Sequence, residues 1–299
     1  MKSSFATVGV VAAMALALAG CGQSTTDDTV ATSSVAATQA VASVAAPTPR
    51  LSSVNNFRDL AGPDGGYVTS DGHRVRAGVV YRANALTPSD ADATTLDSLD
   101  IAAVYDLRTA AEIGKAPDRV PAGARYTNVD ITGAASNGAV ASTVDLSTPQ
   151  SAAAVLVGAN RQFVSNPAMR AEFATLLGDI ASTDGPQIIH CTAGKDRTGW
   201  ASAVLLKIAG VDDATVMSNY LLTNEYSKES IEATATKTAA AQGEQAGEAM
   251  RVLMGVSPEF LQAGLDEVTT SFGTFDNYLT NGLGLSAETI ATLKAKLTV

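Results

Sequence analysis

The sequence has few of the side chains that bind metals or form cross-links. Its 299 residues include two cysteines and two histidines. The cysteines, Cys21 and Cys191, lie in such different contexts that a disulfide framework is excluded. The histidines, His73 and His190, are too few for a zinc site built from Cys and His. We therefore expect no metal and no cofactor, and a fold that depends on its hydrophobic core.

Net positive charge is also missing. The chain has 20 Lys and Arg residues against 30 Asp and Glu residues, which gives a formal net charge of -10. This balance argues against a nucleic-acid partner, because a phosphate backbone attracts basic surfaces. An anionic substrate would have to be attracted by a local basic pocket. With 46% hydrophobic and 17% charged residues, the composition predicts a globular protein of one large domain or two small ones.

Long apolar runs are absent except near the N-terminus. Residues 1–20 combine a positive start with an apolar stretch from Val8 to Ala19, which is typical of a signal peptide and short for a membrane span. Leu18-Ala19-Gly20-Cys21 resembles the bacterial lipobox, whose cysteine becomes the lipidated first residue. The alternative is an ordinary cleaved signal with an incidental cysteine. We expect an extracytoplasmic lipoprotein anchored to a bacterial membrane through Cys21, or a secreted protein if the lipobox is not used.

Beyond the signal, the chain divides into a tether and a domain. Residues 21–50 are rich in Ser, Thr and Ala and have few bulky apolar side chains, which predicts a flexible tether. The predicted domain covers residues 51–299. Within it, residues 132–148 are rich in small residues and are expected to form a long loop.

Apolar strands alternate with helices along the domain, which predicts an α/β fold with a central, mainly parallel sheet. Thr87 is expected to cap a helix that has Pro88 at its first position. The strands are predicted at 79–82, 101–105 and 188–189, with another ending at 128–131 and a hairpin at 67–76 around an Asp-Gly turn.

Two further helical segments have open interpretations. Residues 149–164 are expected to be either a lid beside the site or an ordinary packed helix. Residues 229–254 are rich in Ala, Thr, Glu and Gln and are interpreted as an exposed lid or a mobile arm.

The most informative stretch is residues 187–199. Ile188 and Ile189 are suited to a buried strand, and helical periodicity begins at Thr198. A strand, a tight loop and a helix N-terminus aim backbone N–H groups and the helix dipole at one point. That field binds an anion and stabilises a thiolate at Cys191, while the guanidinium of Arg197 is suited to clamp two phosphate oxygens.

A phosphate-transferring site also needs an acid. Asp106 follows the apolar strand 101–105, and ligands of parallel sheets bind beyond the carboxyl ends of the strands, so Asp106 and Cys191 are expected to meet in one crevice. The alternative is that Asp106 forms a structural ion pair with Arg108. Asp196 is the second candidate for the acid and Asp130 is the third.

The same residues resemble a known family. The loop of cysteine-dependent phosphatases that binds phosphate is similar to the segment His190-Cys191-Thr192-Ala193-Gly194-Lys195-Asp196-Arg197-Thr198-Gly199. The Gly-Lys-Asp-Arg-Thr-Gly part resembles the version found in bacterial and fungal tyrosine phosphatases, of which a secreted mycobacterial enzyme is typical. The segment 56–62 resembles the family's Asn-Phe-Arg-Asp-Leu-Gly-Gly signature, with Ala61 in place of a glycine. Further similar segments are 78–84, 106–109 with Glu112, and 220–224.

The resemblance implies the cysteine-phosphatase α/β fold, in some relatives with an added helical lid. It implies that Cys191 attacks phosphorus to form a phosphocysteine, that the loop binds phosphate, and that Thr198 helps the thiolate to leave. His190 is expected to order the loop. The residues expected to bind phosphate are Thr192, Ala193, Gly194, Lys195, Asp196 and Arg197.

For substrates, the resemblance favours a protein tyrosine phosphatase or a phosphatase of broad specificity, with phosphoinositides as the alternative because Lys195 adds a second cation. Loops with a cysteine and an arginine also occur in arsenate reductases, sulfur transferases and non-catalytic phosphate-binding modules. Reductases usually need resolving cysteines, which this chain lacks beyond Cys21. A binding module would normally have lost the nucleophile or the arginine, and both are present.

Overall fold

The computed structural model describes residues 48–133 and 148–299. The predicted signal peptide 1–20, Cys21 and most of the tether 21–50 lie outside the described residues, as does most of the predicted loop 132–148. Within the described ranges, none of the helices combines the length and the apolar character that crossing a membrane requires. The limits of the signal peptide, the tether and the domain therefore stay predictions.

A five-stranded sheet forms the centre of the described structure. Its strands are β1 (Arg58–Asp59), β2 (Val80–Ala83), β3 (Ala103–Asp106), β4 (Arg125–Asn128) and β5 (Gln187–His190). Their order across the sheet is β1-β2-β5-β3-β4. β1 pairs antiparallel with β2, and all other pairs are parallel. The predicted α/β fold with a mainly parallel sheet is confirmed.

Both faces of the sheet are covered. Tyr105 and Ile189 belong to the larger hydrophobic cluster, whereas Val104 and Ile188 belong to a second cluster. Successive strand residues point to opposite faces, so a strand that is buried on both sides has a continuous apolar sequence. This burial explains why the strands show apolar runs rather than an alternating pattern.

Helices pack on the two faces. They are α1 (Asp90–Asp97), α2 (Ala110–Lys115), α3 (Pro149–Ser165), α4 (Pro167–Ser182), α5 (Arg197–Ala209), α6 (Asp213–Tyr226), α7 (Lys228–Gln242), α8 (Glu244–Met254), α9 (Pro258–Phe272) and α10 (Ala287–Leu297). A short turn, Phe275–Asn277, continues into a π-helical turn, Tyr278–Gly282. α5 lies inside the larger cluster, where Trp200 donates a hydrogen bond to the Tyr278 hydroxyl over 3.2 Å.

The predicted start of the first helix was wrong by two residues. α1 begins at Asp90 because the side chain of Ser89, not that of Thr87, accepts the backbone N–H of Asp92. Ser and Thr are both good N-caps, so only the geometry decides between them.

The hairpin predicted at 67–76 is present in a short form: Val68 bridges Arg74, the N–H of Thr69 donates to the carbonyl of His73 over 2.9 Å, and the N–H of Val75 donates to the carbonyl of Tyr67 over 2.8 Å. The backbone of its second strand also pairs with the C-terminus: the N–H of Arg74 donates to the carbonyl of Val299, and Val75 bridges Thr298. The hairpin therefore also ties the end of the chain to the domain.

The helix predicted at 149–164 is present as α3, and one side of it is packed. Leu156, Phe163 and Val164 are buried in the larger cluster. The segment 229–254 forms two helices, α7 and α8, separated at Gly243, which has φ of 95°. The two helices pack against each other, and α8 also packs against α3. A role as a lid stays a prediction.

Candidate active site

The loop of residues 191–196 connects β5 to α5 at the carboxyl end of the central strand. β5 ends at His190, α5 begins at Arg197, and β5 lies between β2 and β3 in the sheet. The predicted order of strand, tight loop and helix is confirmed. The free backbone N–H groups at the start of α5 and its dipole make this loop a region of positive potential.

Two features of the loop require particular residues. Cys191 is buried, with 3% of its surface exposed, and is a free thiol. Gly194 has φ of 66°, and a Cβ built there would lie 2.2 Å from the carbonyl oxygen of Ala83. Only glycine accommodates both the backbone conformation and the close approach to the end of β2.

Arg197 is held by Glu112. Nη1 of Arg197 donates to Oε2 of Glu112 over 2.8 Å and to the carbonyl of Leu107 over 3.2 Å, and Nη2 donates to Oε1 over 2.6 Å. Among the described residues, Nε and the second Nη2 hydrogen of Arg197 have no protein partner. One edge of the guanidinium is therefore anchored, and the other edge is free to bind two oxygens of an anion.

Glu112 is itself held in place from several sides. It forms a capping box with Thr109 at the start of α2, in which its Oε2 accepts the Thr109 N–H over 3.0 Å. The hydroxyl of Thr192 in the loop donates to Oε1. Burial raises the pKa of Glu112, but the bonds from Arg197 outweigh burial and hold that pKa well below its usual value. The same contact raises the pKa of Arg197, so this pair stays ionised.

Asp106 lies where the sequence predicted, but its surroundings do not suit a general acid. It is the last residue of β3 and pairs in register with His190. Its carboxylate is fully buried and binds Arg108 through Nε and Nη2, at 2.8 and 2.7 Å, and the Tyr126 hydroxyl at 2.8 Å. Burial raises the pKa of Asp106, but these bonds and His190 lower it overall. The structural ion pair with Arg108, the alternative interpretation, is what the structure contains.

The other two candidate acids differ in their surroundings. Asp196 is half-buried at the N-cap position of α5, makes no capping bond, and pairs with Nζ of Lys195 at 3.0 Å. The carboxylate of Asp130 accepts the backbone N–H groups of Thr132 and Gly133, which gives it a role in a local turn. Lys195 is buried against Asp196 and is therefore not the free second cation that the sequence suggested.

Two further residues of the motif, His190 and Thr198, have contrasting environments. Nδ1 of His190 lies 3.4 Å from the carbonyl of Cys191, and Nε2 lies 3.2 Å from Oδ2 of Asp118. This fits a residue that orders the loop. Oγ1 of Thr198 is buried and has no protein partner in the described part of the chain.

The buried group of Asp106, Asp118 and His190 offers potential metal ligands within 4.8 Å of one another. Arg108 already binds both carboxylates, with 2.7 Å from its Nη2 to Asp106 and to Asp118. A guanidinium in this position neutralises the carboxylates and disfavours a further cation.

Sequence reasoning gave no role to three residues that contact the loop or its arginine: Glu112, Asn56 and Arg82. Glu112 binds Arg197, and Asn56 and Arg82 bind the carbonyl of Gly194. The segments similar to the phosphatases contain all three, which was the available signal. All three lie far from Cys191 along the chain, so the sequence does not show that they contact the loop or Arg197.

Comparison with known proteins identifies the class of protein to which this fold and loop belong. The model of the tyrosine phosphatase family matches residues 49–299, and the chain belongs to this family. The protein is thus a phosphatase, a hydrolase of phosphorylated substrates.

Individual relatives agree with that assignment. A protein of Cupriavidus necator whose name assigns it as a tyrosine-protein phosphatase is 31% identical over 236 residues, which is 77% of this chain and 82% of the relative. The triple specificity protein phosphatase PtpB of Mycobacterium tuberculosis is 27% identical over 81% of this chain and 96% of its own length. A tyrosine-protein phosphatase of Nostoc commune is 32% identical over 140 residues, 46% of this chain and 45% of its own.

Proposed function

We propose that the protein hydrolyses phosphotyrosine in proteins through a phosphocysteine intermediate. The observation that carries this proposal is the arrangement of Cys191 at the base of a loop whose Arg197 has one anchored edge and one free edge. A nucleophile next to a preformed binding site for phosphate oxygens is what a two-step displacement requires. The family membership supports the tyrosine phosphatase activity.

In the first step, the thiolate of Cys191 attacks phosphorus and the bond to the ester oxygen breaks. The leaving oxygen takes a proton from an acid. In the second step, water attacks the phosphocysteine, the same carboxylate takes a proton from that water, and the thiolate and inorganic phosphate are released. Arg197 and the loop N–H groups hold the non-bridging oxygens throughout, and the free hydroxyl of Thr198 is available to stabilise the departing thiolate.

We propose Asp196 as this acid. Of the three candidates, it is the one with a carboxylate that is neither buried with an arginine nor used in a backbone turn. An acid must exchange protons with substrate and water, which a carboxylate as enclosed as Asp106 does poorly.

Phosphoinositide substrates are the alternative that the sequence raised. That alternative depended on a second free cation in the loop, and Lys195 is instead buried and paired with Asp196. The observations therefore favour phosphorylated proteins as the substrates.

We also propose that the protein is exported and anchored by a lipid on Cys21. This location is supported by the sequence of residues 1–21 alone.

The proposed mechanism is tested with a phosphotyrosyl peptide and para-nitrophenyl phosphate. We expect wild-type protein to hydrolyse both and to release a burst of the leaving group, and Cys191→Ser to lose turnover while still binding the peptide. Stopping the wild-type reaction with acid should trap one phosphate on the peptide fragment that contains Cys191. Hydrolysis by Cys191→Ser at the wild-type rate would overturn the mechanism.

A further inference from the structure

Two buried arginines lie behind the loop without a carboxylate partner. Arg58 is 3% exposed and Arg82 is fully buried, and neither takes part in an ion pair among the described residues. Arg108 and Arg197, by contrast, each bind carboxylates. Burying an unpaired charge is strongly destabilising. Two such cations side by side are therefore poorly explained by stability alone.

Both arginines converge on the loop. Nη2 of Arg82 donates to the carbonyl of Gly194 over 2.8 Å, and Nη1 donates to Oδ1 of Asn219 over 3.2 Å. Arg58 binds the carbonyl and the side-chain oxygen of Asn56, and its Nη2 donates to the carbonyl of Asn219 over 2.9 Å.

Asn56 connects Arg58 to the loop. Its Nδ2 donates to the carbonyls of Gly194 and Ala193, over 2.8 and 3.2 Å. Asn56 has φ of 63°, in the left-handed region that asparagine tolerates better than most residues. A less favourable backbone conformation thus accompanies the contact with the loop.

These contacts fix the direction of the loop amides. In a trans peptide the carbonyl and the next N–H point in opposite directions. The carbonyls of Thr192, Ala193 and Gly194 are bound from outside the loop, the first by the N–H of Ala85 over 3.2 Å. The N–H groups of Ala193, Gly194 and Lys195 must therefore point the other way, away from these donors, as anion binding requires.

The charge of Arg82 also acts on the loop. Burial lowers the pKa of Arg82 to about 10, opposed chiefly by the negative charge of the Cys191 thiolate. The side chain is still a cation at neutral pH. Because the interaction is mutual, the cation stabilises the thiolate, and the low dielectric around the buried group strengthens the effect.

We propose that Asn56, Arg58 and Arg82 are positioning residues, which turn the loop amides toward the phosphate and place two uncompensated positive charges behind it. The inference rests on the proposed function of the loop as the phosphate-binding site. It assigns to these residues an effect on substrate and thiolate that they exert through the loop, without touching the substrate.

Asn219→Asp separates the effect of charge from that of structure. Aspartate has nearly the same shape, and its oxygen still accepts from Arg82, but it neutralises a positive charge. We expect the thermal unfolding midpoint to stay or rise, because a buried cation gains a partner. We expect inorganic phosphate to bind about tenfold more weakly in calorimetry, and the midpoint of the pH profile for iodoacetamide alkylation of Cys191 to move upward.

Arg82→Lys and Arg82→Met provide the second comparison. The Arg82→Lys variant keeps a charge, but its ammonium cannot reach both Gly194 and Asn219 as a guanidinium fork does, so we expect weaker phosphate binding with a smaller change in the alkylation profile. Arg82→Met should weaken phosphate binding and also shift the alkylation profile. Arg119→Met, at an exposed arginine paired with Asp90, is the matched control and should change neither.

The outcomes are distinguishable. If wild-type protein binds no inorganic phosphate, the proposed function of the loop fails. If wild-type protein binds phosphate and Asn219→Asp binds it equally with an unchanged alkylation profile, the loop function stands and the positioning role is overturned.

Discussion

The carboxylates around Cys191 differ in their partners, and the partners determine which of them can exchange a proton. Glu112 is ionised by its contact with Arg197, and Asp106 by its contact with Arg108. Both therefore act as fixed negative charges that orient arginines. Asp196 forms an ion pair with Lys195 and keeps part of its surface in solvent. The difference predicts which carboxylate moves a proton.

Replacement of each aspartate by asparagine tests this division. Asp196→Asn should slow hydrolysis of phenyl phosphate, which has a poor leaving group, by about 100-fold, and that of a nitrophenyl ester much less. Asp106→Asn should leave this dependence on the leaving group unchanged. Instead it should lower the free energy of unfolding in urea by roughly 3 kcal/mol, because the buried Arg108 loses a partner. An Asp106→Asn protein with altered leaving-group dependence would contradict the division.

The roles of residues were predictable where the reacting and binding groups lie close together in the sequence. Cys191 and Arg197 belong to one short segment, so their spacing alone indicated an anion site. Asp106 kept two interpretations, a general acid or an ion pair with Arg108, because position at a strand end does not reveal that Arg108, two residues further on, folds back onto it. Glu112 was missed as the partner of Arg197 because the pairing joins residues 85 positions apart.

At the scale of elements, the loop depends on how closely it approaches the end of β2. Its Gly194 combines a left-handed backbone with a missing side chain, whereas Gly72, in the turn that follows Val68, has φ of 85° and open space around it. The two glycines therefore separate the cost of backbone conformation from the cost of a clash.

Gly194→Ala should abolish phosphate binding and turnover, because the new Cβ would meet the backbone of Ala83 and Asn84 at 2.2 to 2.7 Å. Gly72→Ala should cost only about 1 kcal/mol of unfolding free energy and leave kcat/KM intact. Calorimetry with inorganic phosphate and steady-state kinetics on both variants make the comparison. Equal effects of the two substitutions would show that the contact with β2 is unimportant.

The sequence predicted most elements but not all of their ends or pairings. The side chains of Asn166, Asp212 and Ser286 each accept a backbone N–H at the start of a helix, and Asn, Asp and Ser are the residue types that favour this position. The short hairpin at 67–76 was recognisable from its Asp-Gly turn, whereas the pairing of Val75 with Thr298, more than 200 residues away, was not. Long-range pairing of this kind leaves no local pattern.

For the whole molecule, the positive field of the site is enclosed in an acidic protein. The first 50 residues contain Lys2, Arg50, Asp27 and Asp28, so the net charge of -10 belongs to residues 51–299. The cations of the site, Arg58, Arg82 and Arg197, are largely buried. At a distance, an anionic substrate meets repulsion, and attraction begins only at the loop.

This arrangement predicts an unusual dependence on salt. The screening length falls from about 30 Å at 0.01 M salt to about 8 Å at 0.15 M, which weakens long-range repulsion but hardly affects contacts with buried groups. For a phosphotyrosyl peptide with acidic flanks, kcat/KM should therefore rise roughly threefold over that range. With lysine flanks it should fall, and para-nitrophenyl phosphate, which has no flanks, should change least. A kcat/KM for the acidic peptide that falls with salt would mean that a positive surface outside the loop attracts the substrate.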